Sequence, residues 1–122
     1  MAAVTRVKAR PCTPVGYEVV DKGKLVEDVS AGDLLTLSAT GWRKAVAGTA
    51  EAHGIALQNG YTGQSGFSVG IQGEMDGFAG MTPGTALFPS ATVAGGLDTT
   101  QPSGAVARVR AVTATRVRYN FV

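Results

Sequence analysis

A chain of 122 residues makes one domain with room for a modest core, and its single cysteine, Cys12, excludes an intrachain disulfide and any thiolate metal cluster within one chain. Seventeen glycines, about twice the usual share, beside a hydrophobic content of 44% mark a tightly turned fold and not a disordered one. The formal net charge of +2 is by itself too small to imply nucleic acid, and no run approaches the roughly twenty apolar residues that span a bilayer.

The opening Met1 to Arg6 lacks the apolar core of a signal peptide, so the reading is a soluble protein made in the cytoplasm. Residues 1–15 carry no acid, and Pro11 and Pro14 bracket Cys12-Thr13. Proline removes a ladder donor and disfavours helix in the residue before it, so this stretch predicts an extended N-terminal arm, with Val4 to Arg10 still able to pair. Residues 16–122 then form a single compact β-domain. Tyr17 to Val20 and Leu25-Val26 read as a hairpin around Asp21-Lys22-Gly23-Lys24. Ser30 to Asp33 is a turn launching Leu34 to Leu37, and Ser38 to Gly41 turns the chain again before Trp42 to Val46, where Trp42 is the largest burial candidate. Between Gly48 and Gly54 there is room for at most one helical turn, followed by a strand at Ile55-Ala56-Leu57.

Asn59 to Gly66 is a polar loop, after which Phe67, Val69 and Ile71 alternate with Ser68, Gly70 and Gln72 at the period of a half-buried strand. Asp76-Gly77 reads as a tight turn, Pro83-Gly84 as a type II turn, and Ala86 to Phe88 as a second short strand. Ser90 to Gly104 is again loop. The last stretch alternates strongly: Ala107, Val109, Ala111, Val117, Tyr119 and Phe121 share one parity, and Arg108, Arg110, Arg116, Arg118 and Asn120 the other. Side-chain period two puts all four arginines on one face, whether in one bent strand or two. Short strands, turn residues and no βαβ rhythm predict an all-β fold, a small β-sandwich or β-barrel with an extended N-terminal arm.

Charge is unevenly placed. Arg6, Lys8 and Arg10 at one end and Arg108, Arg110, Arg116 and Arg118 at the other supply most of the basic residues, while acids are absent before Glu18 and after Asp98. Brought side by side, the ends make a positive stripe suited to an acidic partner surface. Catalytic parts are missing by comparison. The lone histidine, His53, has Glu51 two positions away but no local nucleophile, and Cys12 has no histidine near it in sequence. Glu74 and Asp76 would project together from a strand, as a pair able to take a cation or do acid-base work, or as a solvated face. Gly95-Gly96 precedes no helix and has no lysine after it, so a phosphate loop is not supported. Tyr119 and Phe121 fall opposite the arginines, which argues against a single-strand nucleic-acid platform, where aromatics and cations share a face. The reading is a protein that is not an enzyme, with no catalytic residue, metal or cofactor.

Several phrases together carry a family likeness: Gly32-Asp33-Leu34-Leu35-Thr36-Leu37, Ala52-His53-Gly54-Ile55-Ala56-Leu57, Gly73-Glu74-Met75-Asp76-Gly77-Phe78, Pro83 to Ser90, and Ala94-Gly95-Gly96-Leu97-Asp98-Thr99-Thr100. Over residues 31–119 the chain resembles the small capsid decoration (head-stabilising, or cement) proteins of tailed bacteriophages. The resemblance implies a non-enzymatic protein on the outer surface of the virion, a homotrimer that binds the phage major capsid protein and staples neighbouring subunits, with no nucleic-acid or membrane partner. On that footing Arg6, Lys8 and Arg10 are expected to meet the capsid, and Arg108, Arg110, Arg116 and Arg118 to form a trimer or partner surface. The alternative is a receptor- or carbohydrate-binding module of a phage fibre, with Asn59 to Gly66 and Ser90 to Gly104 as its binding loops.

Overall fold

A computed structural model describes residues 4–20 and 24–122. Among these there is no helix, and the strands are β1 (Thr5–Val20), β2 (Leu34–Ser38), β3 (Gly41–Lys44), β4 (Gly54–Ala56), β5 (Phe67–Ala79), β6 (Ala86–Pro89), β7 (Leu97–Asp98), β8 (Val109–Ala111) and β9 (Val117–Asn120). They join in the order β3-β2-β4-β5-β9-β8-β6-β7, with β1 added to β5, and the antiparallel sheet curls into a half-barrel. The all-β expectation holds. The helical turn allowed between Gly48 and Gly54 does not form, and the following strand is β4.

β5 is the strand on which the sheet is hung. β4 pairs with Val69 and Gly70, β9 with Gln72 to Met75, and β1 runs beside β5 from Thr5 opposite Ala79 to Val20 opposite Phe67. Residues paired twice need a partner on each side, so β1 holds one edge of β5 while β4 and β9 share the other. The sequence predicts a turn at Asp76-Gly77, yet β5 passes straight through it. The glycine serves a close approach instead: Gly77 has φ +97, and a Cβ there would collide with the Lys8 carbonyl of β1. Pro83-Gly84 turns as expected, with Gly84 at φ +89 and the Thr85 amide donating to the Thr82 carbonyl at 3.2 Å.

Residues 5–15, expected as part of an arm, are extended but lie paired on β5; residues 1–3 fall outside the described part. The β1–β5 register shifts between Arg6 and Arg10, Pro11 and Thr13, Pro14 and Gly16, and Gly16 and Tyr17, and two of these irregular steps adjoin a proline, where a ladder donor is missing. The hairpin expected from Tyr17 to Val26 also resolves differently, and its turn residues 21–23 fall outside the described part. Tyr17 to Val20 pairs with β5, whereas Leu25 makes a parallel bridge to Trp42, whose amide donates to the Lys24 carbonyl at 2.6 Å. Burial decides this, since Leu25 and Val29 close over Trp42, Phe67 and Val69.

Two cores result. Adjacent strand residues point to opposite faces, yet Leu34 and Leu35 on β2 are both buried, as are Ile55 and Ala56 on β4. Leu34 and Ile55 belong to the cluster inside the curl, with Met75, Phe78, Leu87, Val109, Val117 and Tyr119. Leu35 and Ala56 belong to an outer cluster that holds Trp42, fully in the interior as expected, beneath residues 25–29.

Candidate functional site

The carboxyl-terminal alternation resolves into a β8–β9 hairpin, in which Arg110 lies directly opposite Arg118 and β9 in turn sets Arg118 opposite Glu74 of β5. Val109, Ala111, Val117 and Tyr119 are buried while Arg110, Arg118 and Asn120 are exposed, so the predicted parity holds within β8 and β9, whereas Ala107 is exposed outside them. One row across the outer face of the sheet therefore reads Glu74, Arg118, Arg110. Two like charges placed opposite each other repel, so the row requires the carboxylate. Arg118 donates through Nε and Nη2 to Glu74 Oε2 at 3.1 and 2.8 Å, and Arg116 Nη1 stands 3.7 Å from Glu74 Oε1. Arg110 donates to the Gly84 carbonyl at 2.8 Å and Arg108 to the Val122 carbonyl at 3.3 Å. The carbonyl contacts fix the direction of Arg108 and Arg110 without neutralising them, whereas Glu74 offsets part of the charge of Arg116 and Arg118.

The charged face continues onto β1 one row along. Arg10 pairs in register with Asp76, its Nη2 3.7 Å from Asp76 Oδ2. The Gly77 amide, the Thr115 hydroxyl and the nearby Arg10 and Arg116 charges together hold the Asp76 carboxyl below the usual carboxylate range. Glu74 and Asp76, which the sequence presents as a carboxylate pair open to a cation, are thus occupied by arginines. Along the face, Arg10, Arg110, Arg116 and Arg118 stand against these two carboxylates, which leaves it positive. The sequence shows the arginines and the carboxylates separately; only the β5–β9 register brings them together.

The three basic residues grouped at the other end are placed differently. Arg6 turns inward, its Nη1 donating to Asp33 Oδ1 at 2.8 Å and its Nη2 reaching the Gly95 carbonyl at 3.5 Å. Asp33 is buried and also accepts from the Ser30 amide at 2.8 Å, so Arg6 fastens β1 to the turn before β2. Arg10 belongs to the arginine face, and Lys8 is exposed. Of the three residues, Arg6 is the one whose guanidinium is engaged inside the fold.

His53 is likewise held by contacts within the fold. His53 Nδ1 accepts the Leu37 amide at 3.0 Å, and Nε2 lies 3.8 Å from Glu51. The imidazole caps the end of β2, at one side of a cleft of about 200 Å³ whose lining includes Leu34, Leu87, Arg108 and Phe121. Among the described residues, no group of three or more His, Cys, Asp or Glu side chains could hold a metal ion. Tyr119 is fully buried, so it offers no ring to a ligand held by the arginines. Comparison with protein-family models, curated proteins and solved structures finds no match to this chain.

Proposed function

We propose that this protein is a capsid decoration protein, a cement subunit that binds the outer surface of a tailed-phage head as a trimer and stabilises contacts between major capsid subunits. The observation that carries the reading is the arginine face: guanidiniums from β1, β8 and β9 and the turn before β9, aimed by backbone carbonyls and by Glu74 and Asp76, presenting fixed positive charge on one side of a small all-β domain. Such a surface suits a broad acidic protein surface more than a small ligand, because its charges are spread along a sheet instead of converging on a pocket. The family likeness of the glycine-turn phrases over residues 31–119 supplies the kind of partner. Many weak contacts on a repeating shell sum to firm attachment without any single strong site.

Cosedimentation with expanded heads of the phage that encodes the chain is the test. The protein should pellet with the heads, as a species of three chains by light scattering. An Arg110→Glu/Arg118→Glu variant should bind at least tenfold more weakly, and binding should weaken as salt rises. Failure of the wild-type protein to pellet with those heads at low salt removes the reading.

A further inference from the structure

The cleft beside His53 is lined by residues 50–53, ahead of β4, and by parts of residues 104–109, which lead into β8, and it gathers three polar side chains whose bonding capacity the fold does not use up. His53 gives Nδ1 to the Leu37 amide, so the neutral ring carries its proton on Nε2 and keeps a donor there. Glu51 Oε2 stands 3.8 Å from that nitrogen, too far for a hydrogen bond, and its side chain is exposed. Arg108, which is not part of the arginine face, uses Nη1 on the Val122 carbonyl at 3.3 Å, and its other N–H groups have no partner among the described residues. The same lining includes Leu34, Leu87 and Val109, all buried, and Phe121, which is half-buried. Donors, an acceptor and an apolar surface with one aromatic ring thus meet in about 200 Å³. We propose that this cleft is a binding site for one pyranose residue of a carbohydrate.

Size and polarity decide the class. Pockets for drug-sized ligands and cofactors run to about 300–1,000 Å³, so this cleft takes a single ring. A wholly apolar ring would strip water from His53, Glu51 and Arg108 and return no hydrogen bond to any of them. A phosphate or carboxylate would gain Arg108 but meet the Glu51 carboxylate, and a metal ion would lack a third ligand among the described residues. A sugar ring answers every group at once. Its hydroxyls both donate and accept, so they serve Glu51 as donors and His53 Nε2–H and Arg108 as acceptors. Its C–H face can lie on the Phe121 ring, whose negative face attracts weakly positive hydrogens. The rim, where Val106 is 62% exposed, suits the free end of a glycan whose next residue stays in solvent. Held by about two or three hydrogen bonds and one ring contact, such a ligand binds with a Kd on the order of 1 mM.

The site stands apart from the shell reading and is tested without shells, on the full chain in solution by NMR, with the methyl glycosides of glucose, galactose, mannose and N-acetylglucosamine as probes. At least one of the four should shift the resonances of Ala52, His53, Val106 and Phe121 along a saturable curve at concentrations up to about 50 mM, well above the expected Kd. Cyclohexanol, close to a pyranose in ring size but with a single hydroxyl, should bind at least about tenfold more weakly than that glycoside. Arg108→Ala should weaken binding of the glycoside about tenfold, the usual worth of a hydrogen bond from a charged group, and Phe121→Leu about fivefold through loss of the aromatic face. Resonances elsewhere in the chain separate a lost site from a lost fold, and Arg108→Ala, at an exposed position, should leave them in place. No saturable shift with any of the four glycosides, saturable shifts confined to other residues, or an affinity that Arg108→Ala does not change overturns the proposal, and none of these results bears on attachment to heads.

Discussion

Tyr119 shows how one side chain can be both the best filled position and a conditional one. Its ring is fully buried beside Val117, Val109 and Met75, and it fits only because Gly70 carries no side chain: a Cβ there would lie 2.6 Å from the hydroxyl. Among the described residues the hydroxyl has no hydrogen-bond partner. Burial, with a smaller contribution from the charge of the Cys12 thiolate, pushes its pKa up to about 12. The folded pKa lies above the unfolded value near 10, so the neutral ring's stability is fully present below pH 10 and is lost as pH rises through 12. Denaturant titrations at pH 9 and pH 12 should therefore show the wild type losing about 2 kcal/mol more than Tyr119→Phe, on the order of the shift converted to free energy. At pH 7 the same substitution should be neutral or slightly stabilising, since it removes an unpaired buried hydroxyl. An equal pH response in the two proteins would place the hydroxyl in contact with water.

At the scale of elements, β1 is where reading the sequence and reading the structure part company. Alternation is a local signal, so Phe67 to Ile71 and the arginine parity of residues 108–120 were legible, and with them the all-β class and the face on which the candidate site lies. Pairing partners are not local. Nothing in Tyr17 to Val20 says that it meets Phe67 to Gly70 and not Leu25-Val26, and Asp76-Gly77 has the same letters whether glycine makes a turn or admits a neighbouring carbonyl. The same limit hid the Glu74–Arg118 contact, which joins residues 44 apart in the chain. It also made Arg6, Lys8 and Arg10 look equivalent. The structure separates them energetically: Arg6→Ala strips a buried carboxylate of its charge partner and should cost about 2 kcal/mol, whereas Lys8→Ala at an exposed position should stay within about 0.5 kcal/mol. Thermal melts of the two variants, and of Arg6→Ala/Asp33→Asn, check this; the double variant should recover part of the loss, because the carboxylate that needs Arg6 is gone.

For the whole molecule, the consequence is that the amino-terminal residues cannot be treated as an appendage. An arm predicts that a chain lacking residues 1–12 folds normally and fails only at its partner. In the structure, that deletion would uncover β5 along Met75 to Ala79, expose Phe78 on the side where Ala9 packs, and leave Asp33 buried without Arg6. It would also break the bond from the Val4 amide to the Leu97 carbonyl, which ties β1 to β7. Losses from packing, ladder bonds and the unpaired carboxylate each amount to a few kcal/mol, against a total stability of about 5–15 kcal/mol for a domain of this kind. The shortened chain should therefore lose cooperative unfolding at 37 °C. Trp42 reports on the outer core, distant in the sheet from the deleted pairing, so its near-ultraviolet dichroism and fluorescence maximum distinguish collapse of the whole fold from fraying of one edge. A shortened chain that melts within a few degrees of the full one, with Trp42 still buried, would show that β1 is held by less than its ladder implies. Any test that separates the proposed capsid attachment from folding should accordingly change surface charge at Arg110 and Arg118 and leave the length of β1 alone.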